Sequence, residues 1–222
     1  MLTQDYADDL YEKYAAWLKQ NGASKHEIMV GAQGKLPEIK TGEVDMAGSD
    51  WPQLDPNRLY IGGYLENRII GATDALIAPE EMRTLHIGLD LFKPAGAAVF
   101  APLKGKIHSF KNNNGPRDYG PCIILQHDFP EITFYTLYGH LSVKDLNGLE
   151  IGQIIAAGQE FAHLGVETEN GGWPAHLHFQ IILDMLGKEG DFHGLCRPIE
   201  IESWKKLCPN PMEFLGIESF WE

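Results

Sequence analysis

The chain has 222 residues, 44% of them hydrophobic and 22% charged, enough apolar material for one substantial core and unlike a disordered or fibrous protein. Its formal charge of −13, with no Lys/Arg-rich stripe, argues against a general nucleic-acid binder and sits awkwardly with adhesion to an anionic cell wall. No apolar run reaches the ~18 residues of a membrane span, and the first twenty residues carry Asp5, Asp8 and Asp9 with no basic start, unlike a secretory signal. As it stands the chain reads as cytoplasmic, with export by another route or loss of a leader left open.

Residues 3–20 place Tyr6, Leu10, Tyr14 and Trp17/Leu18 at helical spacing before Asn21-Gly22, which predicts an amphipathic helix packed on the rest of the chain. Residues 31–58, rich in Gly, Pro and Asp and without a clear period, read as a linker or wrapping arm. From Leu85 the pattern becomes short apolar stretches separated by turn signals, the mark of a mainly β domain. Strands are expected at 86–92, 97–101, 104–110, 122–128, 132–139, 161–166 and 175–184. Pro94-Ala95-Gly96 and Pro102-Leu103-Lys104-Gly105 punctuate the first hairpins, and 111–120 is a long polar loop. The Gly-Gln pairs at 152–153 and 158–159 bracket a short strand or tight connection. The tail over 202–211 reads as one helical stretch ended by Pro209 and Pro211. The chain thus divides into a helix and arm over 1–80, a β core over 81–190 and an extension over 191–222 packed on the core. Cys122, Cys196 and Cys208 form no Cys-x-x-Cys pair and read as reduced thiols, with Cys122 in a buried strand.

Three clusters carry chemistry: His86-Ile-Gly-Leu-Asp90, Tyr138-Gly139-His140-Leu141-Ser142 and His176-Leu177-His178. Along 175–184, His176, His178, Gln180 and Ile182 share one strand face, and Leu177, Phe179, Ile181 and Leu183 the other. Neighbours on one face are roughly 6.6 Å apart, so one imidazole can bind a metal while the other faces water beside it. Residues four apart on a regular strand would be roughly 13 Å apart. His86 and Asp90 can share an ion only if the strand bends between them, with Gly88 the expected cause. Two histidines and a carboxylate form an N/N/O set that suits one Zn²⁺ per chain, leaving a position open and two histidines for proton chemistry. No His-Glu-x-x-His helix is present, which favours a histidine base.

The other residues near these clusters have plainer alternatives. Tyr138 shares the face of His140 if the strand is regular, and either packs or walls a groove. Trp173 and Pro174, on a loop before the histidine pair, either contact substrate or pack the turn. His193 either contributes at the groove or has an ordinary surface or core role. His108, His127 and His163 read as ordinary surface or core histidines, and His26 as solvated.

In this order, HIGLD at 86–90, GAAVFAPLKGKI at 96–107, YGHLS at 138–142 and HLHF at 176–179 resemble the core of the lysostaphin-like, or M23, zinc metallopeptidases. The likeness runs roughly from Arg83 to Asp184, about half the chain. It implies a compact antiparallel sheet with a groove, His86, Asp90 and His178 as zinc ligands, and His140 and His176 as catalytic histidines. The implied reaction is amide hydrolysis in peptidoglycan-type peptides containing Gly or D-amino acids, with no nucleic-acid partner and no membrane span. GWPAHLHFQ at 172–180 and GPCIILQH at 120–127 are similar, more narrowly, to M23-like domains in cytosolic aminotransferase fusions. Residues 1–80 match no secreted wall-binding or coiled-coil module. An intracellular zinc peptidase or amidase for a small soluble peptide is the alternative. A noncatalytic binding module is a third reading, against which the intact five-residue set speaks. Relatives can be latent when an upstream segment supplies a further zinc ligand. Here Asn67 or Asp74 is the candidate, unless that segment only pads the sheet edge.

Overall fold

Helix α1 spans Gln4–Asn21, capped by the Thr3 side chain on the Tyr6 amide and closed by Gly22 (φ 72°), whose N–H donates to the Leu18 carbonyl. Its buried residues are Ala7, Tyr14, Trp17 and Leu18. Tyr6, expected on that stripe, is exposed instead, with its hydroxyl on the Asp184 carboxylate. The structure is a computed structural model that describes residues 3–41, 51–68 and 82–219.

The strands that follow are β1 (Gly34–Leu36), β2 (Glu38–Ile39), β3 (Tyr60–Gly62), β4 (Leu85–His86), β5 (Leu89–Phe92), β6 (Ala98–Phe100) and β7 (Gly105–Asn113). After them come β8 (Gly120–Asp128), β9 (Thr133–Gly139), β10 (Ile154–Ile155), β11 (Glu160–His163), β12 (His176–Ile182) and β13 (Leu195–Cys196). Helices α2 (Ile201–Leu207) and α3 (Pro211–Leu215) and strand β14 (Ile217–Ser219) close the chain.

One large sheet runs β10-β7-β8-β9-β12-β5-β3-β2. Its pairs are antiparallel except β2 with β3, so the sheet is mixed at one edge rather than purely antiparallel. Those edge strands come from the segment that reads as a structureless arm. At two and three residues they are too short to display a period of two. The arm is also tied to the far end of the chain, where β1 pairs in parallel with β14.

The register of β12 sets the two faces of the sheet. Phe179 lies opposite Tyr138, and His178 opposite Gly139 on one side and Asp90 on the other. The face holding Phe179 and Tyr138 is roofed by α1 and α3: Tyr14 and Trp17 meet Phe134 at ring distances of 5.5 and 4.9 Å, and Phe214 meets Phe179 at 6.4 Å. Burying a side chain of this size stabilises by roughly 1.5–3 kcal/mol, so the roof anchors the strand that carries the histidine pair. The helical stretch expected in the tail is α2, which ends at Leu207 before Pro209, and a second helix follows it. Pro211 opens α3 at a position that needs no amide donor, behind Asn210, whose side chain caps the Met212 amide.

Candidate metal centre

His86 ends β4, and β5 begins three residues later at Leu89, so the chain does break at Ile87-Gly88. The reason for glycine is close approach. A Cβ on Gly88 would lie 2.4 Å from His178 Cε1, inside any contact distance, so the His178 ring takes the space that a side chain would fill. Gly139 and Gly194 leave similar room for Tyr119, whose ring stands 5.0 Å from that of His178.

These clearances bring His86, Asp90 and His178 together, with one donor atom from each within 4.8 Å of the others. His86 Nδ1 donates to the Gly63 carbonyl at 2.9 Å, leaving Nε2 with its lone pair inward. Gln180 donates to the His193 carbonyl at 3.0 Å, so its oxygen accepts from His178 Nε2 at 3.0 Å and turns the Nδ1 lone pair inward. The two acceptors face each other at 3.0 Å, with Asp90 Oδ1 3.5 and 3.3 Å from them. Asp90 Oδ1 is fully buried without a hydrogen-bond partner, a cost of several kcal/mol for a charged oxygen unless a cation serves it. Three converging lone-pair donors with no proton among them fit a divalent cation, and the N/N/O chemistry suits zinc. The groups hydrogen-bonded to the outer atoms orient the donors, as is usual around bound metals.

His140 and His176 flank this trio, their rings 4.3 Å apart. His140 Nδ1 donates to the Asn170 carbonyl at 2.9 Å and His176 Nδ1 to the Pro174 carbonyl at 2.6 Å, so each keeps Nε2 free. His176 Nε2 stands 3.8 Å from Asp90 Oδ1. Burial, then the neighbouring His176 and His178, holds His140 well below the ordinary imidazole range. Burial is also the first cause that lowers His176, and burial followed by Arg68 lowers His86. For Asp90 burial acts upward, but Arg68 and the imidazoles outweigh it and hold the carboxyl well below its usual range.

His140 reaches its position through a left-handed backbone (φ 62°) just past the end of β9. The turn breaks the alternation that would put Tyr138 on the same face. Tyr138 is instead fully buried against Phe161 and Phe179, with its phenol near the Thr136 hydroxyl, and it packs the core rather than walling a groove. Trp173 and His193 do line the cavity over the centre, which has a volume of about 290 Å³. Asn170 organises that wall, accepting from the Trp173 amide while its carbonyl holds His140.

The upstream segment approaches the site one residue out of the expected phase. It pairs against β4 through Arg68 N to Thr84 O (2.8 Å) and His86 N to Glu66 O (2.9 Å). This leaves Asn67 exposed to solvent and turns Arg68 inward. Arg68 Nη2 meets Asp90 Oδ2 at 2.6 Å, occupying the carboxylate oxygen that faces away from the donors. Asp74 lies outside the described residues. Arg68 and Tyr119 are among the site residues that the spacing of motifs did not reveal. Arg68 meets a carboxylate 22 residues away and Tyr119 sits in a loop of polar residues, so neither belongs to a local pattern. Of the remaining histidines, His26 is exposed, His108 bonds Ser109, His127 bonds Lys104 and Thr136, and His163 bonds Asp145.

Residues 84–189 match the family model described as peptidase family M23. The match takes in just under half of the chain, which is similar over that stretch to M23 peptidases. A similar solved structure is a zinc containing peptidase from Vibrio cholerae, 27% identical over 44% of this chain and 27% of that one, with a TM-score of 0.36. Another is the catalytic domain of the antimicrobial peptidase lysostaphin from Staphylococcus simulans, 25% identical over 54% of this chain and 80% of that one, with a TM-score of 0.39. The chain therefore spans about a quarter of the length of the Vibrio protein. No curated protein matches it, and the narrower likeness to aminotransferase fusions finds no support in these comparisons. The matched stretch contains His86, Asp90, His140, His176 and His178, while Arg68 reaches the centre from upstream of it. Among the described residues, no helix is long and apolar enough to cross a membrane.

Proposed function

We propose that this chain is a zinc-dependent peptidase that hydrolyses an amide bond in peptidoglycan-type peptides containing Gly or D-amino acids. The observation that carries the reading is the buried, unpartnered Asp90 Oδ1 facing two imidazole lone pairs, with two further imidazoles beside it. His86, Asp90 and His178 would hold the Zn²⁺, which when bound supplies a Lewis acid for the amide carbonyl and lowers the pKa of water toward ~7. His140 and His176 divide the proton work. Each is locked to a backbone carbonyl through Nδ1, so Nε2 of one takes the proton from the attacking water. As the water oxygen bonds to the carbonyl carbon and the C–N bond breaks, a proton passes to the leaving nitrogen. The buried Tyr119 phenol, whose pKa is raised well above its ordinary value by burial, stays a neutral donor on the cavity wall. Trp173 and His193 bracket the peptide.

A small soluble peptide in place of the cell wall is the second reading, favoured by the charge of −13, which repels an anionic polymer. Both readings are tested by measuring new amino termini released from purified peptidoglycan and from short glycyl peptides, with zinc and with chelator. We expect zinc-dependent release, and His140→Ala and His176→Ala to retain zinc while losing roughly 10²–10⁴-fold in rate. Full activity in both zinc-loaded variants would end the proposed division of proton work. Cleavage of peptides but not of wall would select the second reading.

A further inference from the structure

The cavity over the metal centre is lined by Arg68, Arg83 and Arg117. These are three of the chain's five arginines, and none of its thirteen lysines joins them. Arg68 is committed to Asp90, but among the described residues neither Arg83 nor Arg117 is in an ion pair. Arg83 Nη1 lies 2.6 Å from His193 Nδ1, a ring that burial and Arg83 itself push down to about 4, so the neutral imidazole does not cancel the guanidinium charge. Glu200, which also feels Arg83, is bonded at 2.6 Å to Arg197. Arg117 lies on a left-handed turn (φ 61°) held by its amide on the Gly171 carbonyl at 2.9 Å. Two acidic groups share the walls, Asp118 and Asp191. Asp118 accepts from the Tyr119 amide at 2.7 Å, and burial and Asp118 raise Asp191 above its ordinary value.

Guanidinium is the cation whose planar fork matches a carboxylate, and selecting arginine over the more abundant lysine at one cavity is a choice of geometry as well as charge. Resting on the peptidase reading, we propose that Arg83 and Arg117 form a carboxylate clamp. The preferred substrate is then a short peptide with a carboxylate, at its C-terminus or on an acidic side chain, close to the amide that is cut.

The test is calorimetric titration of the zinc-loaded, full-length His140→Ala variant with two peptide pairs. Tetraglycine against its C-terminal amide probes a terminal carboxylate, and acetyl-Gly-Glu-Gly amide against acetyl-Gly-Gln-Gly amide probes a side-chain one. We expect the carboxylate member of at least one pair to bind roughly tenfold or more tightly than its neutral partner. Adding Arg83→Gln and Arg117→Gln together should abolish that preference without changing zinc content or melting temperature. The single substitutions should each remove part of it and serve if the combined variant does not fold. Equal or undetectable binding within both pairs overturns the clamp. So does a preference that survives both substitutions, which would assign the carboxylate to the metal. Hydrolysis of the same peptides by the wild-type chain is read separately. Cleavage without preference leaves the peptidase standing and the clamp overturned, whereas binding preference without any cleavage overturns the peptidase and leaves the clamp.

Discussion

The sheet carries two kinds of buried histidine, and they differ in what their nitrogens meet. On β8, His127 is fully buried, with Nδ1 on the Lys104 carbonyl at 2.9 Å and Nε2 beside the Thr136 hydroxyl at 2.8 Å. Both nitrogens are satisfied, and the ring is a strut between β8, β9 and the turn before β7. At the metal centre, His86 and His178 are equally hidden, but each satisfies only its outer nitrogen while the inner ones face a carboxylate oxygen that has no partner. Burial is therefore not what distinguishes the site. A surplus of acceptors over protons distinguishes it, because acceptors held together in a low dielectric require a cation.

The sharpest break in this comparison is removal of an inner donor. His178→Ala should bring zinc in the purified protein from one equivalent per chain to near zero, and hydrolysis to background, whereas His127→Gln should keep its zinc. Metal content by emission spectroscopy decides it, and zinc retained by His178→Ala would refute the donor set.

The next effect is on stability against pH. Burial lowers His127 from 6.5 to about 4, so the unfolded chain takes up a proton at a pH where the folded chain does not. The stabilisation is therefore full above about 6.5 and is lost progressively as the pH falls to about 4. Its total is on the order of 3 kcal/mol. Denaturant unfolding of wild type and His127→Gln across this window should show a flatter acid limb in the variant. Equal slopes would mean that His127 titrates alike in both states.

The smallest effect concerns the outer oxygen of Asp90. Arg68→Met leaves that oxygen without its 2.6 Å partner and should weaken zinc binding by roughly 10–100-fold, the usual cost of losing a group that orients a ligand. Competition with a chelator of known affinity measures it. Unchanged affinity would make Arg68 a bystander to the metal.

Much of the architecture was legible from residue order. Alternation from 175 to 184 placed β12 and assigned its two faces, and the 13 Å problem between His86 and Asp90 correctly demanded a break at Gly88. The reason for that glycine was not legible. It makes room for His178, which lies ninety residues away, rather than for a strained backbone. The groove alternative for Tyr138 and the ligand alternative for Asn67 fall away for a shared reason: both followed the chain one residue at a time through a point where phase is set by something else. The left-handed turn at His140 sends Tyr138 to the core, and pairing against Thr84 and His86 turns Arg68, not Asn67, inward. The short edge strands of the arm were invisible because a pair of residues has no periodicity to read.

Sequence by itself determined the mainly β class, the main strands between Leu85 and Asp184 though not β13 or β14, and the five side chains able to serve a metal and move protons. These follow from local rules, the period of a strand and the donor chemistry of His and Asp. Only the tertiary structure decided which nitrogen of each imidazole faces inward, that Asp90 Oδ1 is left without a proton donor, and that Arg68 closes the other oxygen. Those are relations between residues distant in the chain, set by strand register and by the carbonyls that packing brings to each ring, and no spacing in the sequence encodes them.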